Sequence, residues 1–217
     1  MARTNRYDHF CPVARSLEVI GEKWSLLIIR ELLPGPRRFT DLQRGMASIT
    51  AKWLTLRLRE LEAAGLVMRE QEEGRREVWY RLTQRGEDLR PVVGALNAWG
   101  MRHAMRPMLP GEKIHPARLA RSFIGFLNAT DVRPARPLGW RVDFDGDAQD
   151  LWFDGEIWTR QRVEMPALVI RTTVGRWAAL LTNVPERPAI DECVALEGDA
   201  AEAERFRQTL EGILQPA

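Results

Sequence analysis

The run Arg106-Pro107-Met108-Leu109-Pro110-Gly111 constrains this chain more than any other segment, since two prolines and a glycine stop any helix that reaches them. A linker there divides the 217 residues into two stretches of domain size, 1–110 and 111–217. Charge divides at the same place. Residues 1–110 carry 19 Lys/Arg against 13 Asp/Glu, a balance of +6, and residues 111–217 carry 13 against 17, a balance of −4. The net charge of +2 therefore hides a basic half suited to a polyanion, joined to an acidic half that is not.

Several classes are excluded at once. No apolar run approaches the roughly 18 residues of a membrane span, so no membrane partner is expected. The opening Met1-Ala2-Arg3-Thr4-Asn5-Arg6-Tyr7-Asp8 lacks the apolar core of a secretory signal. Two cysteines, Cys11 and Cys193, cannot build a disulfide framework or a four-cysteine zinc site, and a reducing cytoplasm is the expected compartment. His9-x-Cys11 is a lone pair, and His103 and His115 stand apart from it, so no metal is expected. Asp143-x-Asp145-Gly146-Asp147 has its glycine at the fourth position, where a calcium loop needs it at the sixth, and reads as a hairpin turn. There is no phosphate-binding glycine loop, no Gly-x-Ser-x-Gly elbow and no His-Glu-x-x-His. Neither a cofactor nor catalysis is expected.

Within 1–110 the apolar spacing predicts short helices followed by a hairpin. Cys11-Pro12 opens the first helix with proline at its first position, and Val13, Leu17 and Ile20 form its apolar stripe. Trp24 to Leu33 is a second helix, ended by Pro34-Gly35-Pro36, and Phe39, Leu42 and Met46 mark a short third. Thr50 is placed as an N-cap, with Ile49 and Leu54 stapling the turn, before a helix with Leu54, Leu58 and Leu61 on one face that stops at Gly65. Leu66 to Gln71 and Glu77 to Leu82 read as strands around the charged tip Glu72-Glu73-Gly74-Arg75-Arg76. A long helix from Asp88 to about Ala104 follows, with Leu89, Val92, Val93, Leu96 and Trp99 on its apolar face. Helices, a helix–turn–helix and then a two-stranded wing are the order of a mainly α, winged helix-turn-helix domain.

The second half follows other rules. Pro116 to Ala129 is an amphipathic helix through Leu119, Phe123 and Phe126-Leu127. Trp140, Val142 and Phe144 alternate with Arg141, Asp143 and Asp145, the period of a half-buried strand that turns at Asp145-Gly146. Leu151–Phe153, Ile157–Thr159, Leu168–Thr172 and Val194–Leu196 supply further strands, with a short helix through Val174, Trp177, Ala178 and Leu181. Asp199 and Glu202 form a capping box before a last helix through Ala203, Phe206, Leu210 and Leu214. The expectation is an α+β domain with a sheet of about five strands and flanking helices.

On the helix after Thr50, about 100° per residue puts Lys52, Thr55 and Arg59 opposite the leucine stripe. Taken alone, such charges fit a solvated surface helix better than a groove-reading one. Arg37-Arg38 before the preceding helix and Arg75-Arg76 at the wing tip change that balance, because all three cationic sites lie where a winged helix meets DNA. Arg and Lys on that face would read guanine, and Thr would touch a thymine methyl or a phosphate. Arg57, to the side, would reach a backbone phosphate.

These segments also resemble a known family. Cys11-Pro12-Val13-Ala14-Arg15-Ser16-Leu17 with Ile20-Gly21-Glu22-Lys23-Trp24 is similar to the opening of the HxlR family of bacterial transcriptional regulators. So are Leu32-Leu33-Pro34-Gly35-Pro36-Arg37-Arg38-Phe39, Leu54-Thr55-Leu56-Arg57-Leu58-Arg59-Glu60-Leu61-Glu62 and Tyr80-Arg81-Leu82-Thr83-Gln84-Arg85-Gly86. The resemblance covers about residues 8–104. It implies a dimeric winged-helix DNA-binding protein, usually a repressor, whose dimer interface is formed by the N-terminal helix and the helix ending near Ala104. Leu56 departs from it, since the family more often has a polar or charged residue there. The resemblance also implies a redox role for Cys11, because several members sense oxidants through a cysteine at this position. A helix N-terminus favours a thiolate there, and His9 and Arg15 would add positive charge. A small residue buried at a helix start is the simpler explanation of Cys11.

Four of the eight tryptophans, Trp140, Trp152, Trp158 and Trp177, lie in the second half, either as a small α+β core or as the lining of an apolar pocket with Phe123 and Phe126 at one wall. Leu168-Val169-Ile170-Arg171-Thr172-Thr173, Trp177-Ala178-Ala179-Leu180-Leu181-Thr182-Asn183, and Val194-Ala195-Leu196-Glu197-Gly198-Asp199 with its helix resemble the end of a sterol-carrier-protein-like domain over about residues 115–214. The glycine such domains often place after the short helix is here Asn183-Val184-Pro185. That resemblance implies an apolar ligand cavity. The expected assignment is a homodimeric regulator of transcription on a pseudo-palindromic double-stranded operator. Residues 1–110 would bind DNA and dimerise, and residues 111–217 would sense an apolar small-molecule effector. Phosphate contacts would come from Arg37, Arg38, Arg75 and Arg76, and specificity from Thr50, Lys52, Thr55 and Arg59. The alternative is a lipid or small-molecule carrier whose winged helix mainly mediates assembly.

Overall fold

The structure, a computed structural model, describes residues 7–46, 48–71, 77–109, 112, 114–129, 132–182 and 188–214. Contacts group the chain into two units, Met1–Val93 and Gly94–Ala217. The division falls upstream of the proline–glycine run, because the last turns of one helix pack with the second unit.

In the first unit, Pro12 takes the first position of α1 (Pro12–Ile20), where its missing N–H removes no hydrogen bond. Gly21 closes the helix by donating to the Leu17 carbonyl at 2.8 Å, and a Cβ there would stand 2.5 Å from that oxygen. The expected stripe is only part-covered: Ile20 is buried, but Val13 and Leu17 are exposed. Trp24, left-handed at φ 82°, precedes α2 (Ser25–Leu32), which buries Ile28, Ile29 and Leu32. Then come β1 (Arg37–Arg38), α3 (Phe39–Gly45) and α4 (Ala51–Ala63). Thr50 caps α4 by accepting from the Trp53 N–H at 3.3 Å, and Ile49 and Leu54 are both buried beneath that turn.

Gly65, at φ 69°, reverses the chain into β2 (Val67–Gln71), which pairs antiparallel with β3 (Val78–Leu82). The two-residue β1 adds to the other edge of β3, giving the order β1-β3-β2. The helix expected from Asp88 to about Ala104 is α6 (Arg90–His103), and a separate one-turn helix, α5 (Gln84–Glu87), precedes it. Thr83 caps α5 through the Gly86 N–H, and Pro91 is tolerated only in a first turn, so α6 starts beside it. Leu89 and Val93 pack on the first core, whereas Val92, Leu96 and Trp99 are exposed, so the apolar face expected of this helix is not covered as a whole.

The second unit contains the end of α6, where Met101 joins its core and Asn97 Nδ2 donates to the Ser122 carbonyl at 2.9 Å. Its elements are α7 (Pro116–Ala129), β4 (Leu138–Phe144), β5 (Asp147–Phe153), β6 (Trp158–Thr159), β7 (Leu168–Thr172), α8 (Val174–Leu180), α9 (Ile190–Cys193), β8 (Ala195–Gly198) and α10 (Ala200–Leu214). The five strands run β6-β5-β4-β7-β8, with β4 and β7 parallel and the other pairs antiparallel. Asp145 and Gly146 both have positive φ, 53° and 93°, the two-residue turn that matches strand twist.

That turn sets Phe144 opposite Asp147 and Trp140 opposite Leu151. Trp140, Val142, Phe144, Leu151 and Phe153 thereby share one face, buried with Phe123, Phe126, Leu127, Phe206 and Leu210. Asp199 caps α10 by accepting from Ala201 and Glu202 N–H groups, but the expected capping box is only half made. The Asp199 N–H goes to the Ala167 carbonyl, and the Glu202 carboxylate turns into the core to accept from Trp140 Nε1 at 3.0 Å. Among the described residues no helix is long and apolar enough to cross a membrane.

Candidate nucleic-acid interface

Helix α4 follows α3 after a short turn, and Leu54, Leu58 and Leu61 anchor it in the first core. Its opposite face carries Lys52, Thr55, Leu56 and Arg59, all exposed. Neither Lys52 nor Arg59 forms an ion pair with a described residue. Thr55 donates its hydroxyl proton to the Ala51 carbonyl at 2.9 Å, so the side chain presents its methyl group and lone pairs outward. The Thr50 hydroxyl oxygen is engaged at the cap, leaving its proton for an outside acceptor.

Arg57 does not have the position expected of a phosphate contact. It is 5% exposed, with Nη2 3.3 Å from Glu22 Oε2 and Nη1 paired to Glu60, and it ties α4 to the turn after α1. Arg38 is also committed in part: its guanidinium lies over the Trp79 ring at 4.7 Å and pairs with Glu77 at 2.7 Å across the wing stem. Arg37 pairs in register with Tyr80 on the same stem and has no ion pair with a described residue. Burial raises the Tyr80 phenol above its usual pKa, against the nearby Arg69, so it stays a neutral donor. Arg75 and Arg76 lie outside the described residues. The sequence reading missed Arg69 on β2 and Trp53, which is 50% exposed beside the Lys52–Arg59 face. Trp53 precedes Leu54 by one residue, and the same helical rotation that singled out Lys52 places it off the leucine stripe.

Cys11 is the half-buried N-cap residue of α1. The Arg15 charge expected to support it is instead held by Glu18 at 3.0 Å.

In the second unit the structure brings Trp140, Trp158 and Trp177 together with Phe123. Ring centroids are 4.6 Å apart for Trp140–Trp158 and 5.3 Å for Phe123–Trp177, and Phe206 lies within 6.2 Å of Trp177. Phe126 is buried in the same core. Trp152 does not join them. Its register partner is Gly139, and it lies half-buried on the opposite sheet face, the face that carries the Arg141–Asp150 pair. Trp158 Nε1 donates to the Val132 carbonyl and Trp140 Nε1 to Glu202. Trp177 Nε1 is buried without an acceptor among the described residues. Burial also pushes the Cys193 thiol pKa up, with Glu192 adding to the effect.

A helix–turn–helix followed by an antiparallel wing, with cations on the outward face of the second helix, defines a winged-helix protein. The model of the HxlR-like helix-turn-helix family matches residues 19–108. The uncharacterized HTH-type transcriptional regulator YybR of Bacillus subtilis is 43% identical over 91 residues, covering 42% of this chain and 73% of the relative. Another such regulator, from Methanothermobacter thermautotrophicus, is 36% identical over 107 residues, 49% of this chain and 82% of the relative. Among solved structures, the oxidized form of the redox regulator HypR is 43% identical, with a TM-score of 0.40 over 42% of this chain and 94% of that one. The chain belongs to the HxlR-like helix-turn-helix family, and its residues from Leu109 onward lie beyond the family match.

Proposed function

We propose that this chain is a sequence-specific DNA-binding regulator of transcription that acts as a homodimer and represses, as the HxlR resemblance implies. The observation that carries the reading is the exposed face of α4, where Lys52, Thr55 and Arg59 stand opposite the buried leucines with Arg37 and Arg69 on the wing strands. Selection from random duplexes is the test. It should enrich a pseudo-palindrome with half-sites about one helical turn apart, roughly 10 bp, and Lys52→Ala or Arg59→Ala should relax preference at particular base pairs. A pool without an enriched sequence would refute the reading. Nanomolar, specific binding also separates a regulator from a carrier, whose affinity for DNA should be weak and salt-labile.

Dimerisation is supported by apolar side chains left open to solvent: Phe10, Val13 and Leu17 at α1, and Val92, Leu96 and Trp99 on α6. Leu17→Glu and Trp99→Glu should each shift sedimentation toward the monomer. We assign effector sensing to residues 111–217 as a sterol-carrier-like domain, which the five-stranded sheet with its helices supports. The unpaired Trp177 N–H points to an apolar effector that carries a hydrogen-bond acceptor. Such a ligand should quench tryptophan emission, raise the melting temperature and shift operator affinity, since control requires differential affinity for two states. Redox control through Cys11 is a second input to the same DNA affinity, supported by its place at the N-cap of α1 among uncovered apolar residues.

A further inference from the structure

Leu56 sits at the centre of the outward face of α4. It is 41% exposed, and its neighbours on the helix surface are Lys52 and Trp53 on one side and Arg59 and Glu60 on the other. A lone exposed leucine is ordinary on a protein surface. This one lies between two cations that no described carboxylate neutralises, so a polyanion drawn to Lys52 and Arg59 brings its own surface against Leu56. Of its two polar neighbours in sequence, Thr55 has already given its hydroxyl proton to Ala51, and Arg57 is buried against Glu22 and Glu60.

We propose that Leu56 is a specificity-determining residue that reads the 5-methyl group of one thymine in the major groove. This rests on the DNA-binding reading above. The chemistry is selective because thymine is the only base to present a methyl group there, whereas cytosine presents an amino donor that an aliphatic side chain leaves unpaired. Leu56 makes no hydrogen bond and so contributes only by burying apolar surface. Its effect should therefore follow the methyl group and not the base-pair identity as such.

The experiment uses the full chain and a duplex enriched from a random pool, with each thymine replaced singly by deoxyuridine, which removes the methyl alone. At one position in each half-site the replacement should weaken binding about fourfold, the effect of one buried methylene-sized group. Cytosine at that position should bind more weakly still, and 5-methylcytosine should recover part of the loss. Leu56→Ala and Leu56→Gln should bind the thymine and deoxyuridine duplexes equally. Arg59→Ala should weaken both while keeping their ratio. If no thymine on an enriched duplex is sensitive, or if the ratio survives in both Leu56 variants, the assignment falls and the DNA-binding reading stands. If the pool yields no enriched sequence, both fall.

Discussion

Arg57→Ala is expected to destabilise the first unit by about 1.5–2.5 kcal/mol without changing the salt dependence of DNA binding. Most of that loss comes from the stem: alanine keeps Cβ and removes two packed methylenes of a side chain 5% exposed, worth about 0.8 kcal/mol each at most. The ion pairs add little, because the Glu22 and Glu60 side chains are 42% and 47% exposed and regain water when the guanidinium goes, so each is worth a few tenths of a kcal/mol. The buried Nε has no partner, and its desolvation offsets part of even that gain. Arg57→Met keeps an apolar stem and loses only the charge, so its cost should stay within about 1 kcal/mol. For a unit of this size the Ala variant should melt on the order of 10 °C lower. Calorimetry reads the stability, and fluorescence anisotropy over a salt series reads the counterion release. Arg37→Ala should lower the slope of log K against log salt by about one, and neither Arg57 variant should lower it. An Arg57→Met protein with parental melting and a slope reduced by about one would refute the argument, since that is the behaviour of a phosphate contact.

Glu202→Ala should destabilise the second unit by about 1.5–3 kcal/mol in chemical denaturation, because it strands the buried Trp140 N–H, and Glu202→Gln should restore most of the loss by keeping an acceptor. Equal stability of the Ala and Gln variants would show that this hydrogen bond does not matter. Burial disfavours the charge on Asp150, but hydrogen bonds from Arg141 and the Val163 N–H outweigh it and hold the carboxyl below its usual pKa. A depressed folded-state value stabilises above the unfolded pKa of about 3.9 and is lost as pH falls through the folded one, so Asp150→Asn should flatten the acid limb of stability below about pH 4. An acid limb as steep as the parent's would count against this. Diamide should lower the affinity of the parent chain for its selected duplex, and Cys11→Ser should bind normally and lose that response. A response that persists in Cys11→Ser would remove the redox role.

What depends on neighbours in sequence is legible in the sequence itself. The Thr50 cap, the Gly65 stop, the alternation through Trp140, Val142 and Phe144, and the Asp145-Gly146 turn each follow from local chemistry and stand where that chemistry puts them. The place of Trp152 is legible too, although composition alone groups it with the core tryptophans. A two-residue turn at Asp145-Gly146 forces Phe144 opposite Asp147, and counting back along both strands puts Leu151, not Trp152, on the face of Trp140. The capping box at Asp199 misleads for a different reason. The motif specifies what Glu202 can reach locally, and only the tertiary fold brings Trp140 to it from 62 residues away.

The same limit applies more strongly to charge. A count of cations near a helix–turn–helix treats each as available to phosphate, yet Arg57 meets Glu22 across 35 residues and Arg38 meets Glu77 across 39. Neither pairing has a local signature, because i,i+3 and i,i+4 rules stop within one helix. Withdrawing Arg57, and Arg38 in part, leaves Lys52, Arg59, Arg37 and Arg69 as the cations of the helix–turn–helix and wing strands that the proposed reading would set against DNA. Each phosphate contact contributes about 0.9 to the salt slope, so every cation withdrawn lowers the expected sensitivity to salt and raises the share of affinity that must come from base edges. On that account α4 cannot rely on charge alone, and the exposed apolar surface of Leu56, set between Lys52 and Arg59, is where sequence preference would be gained.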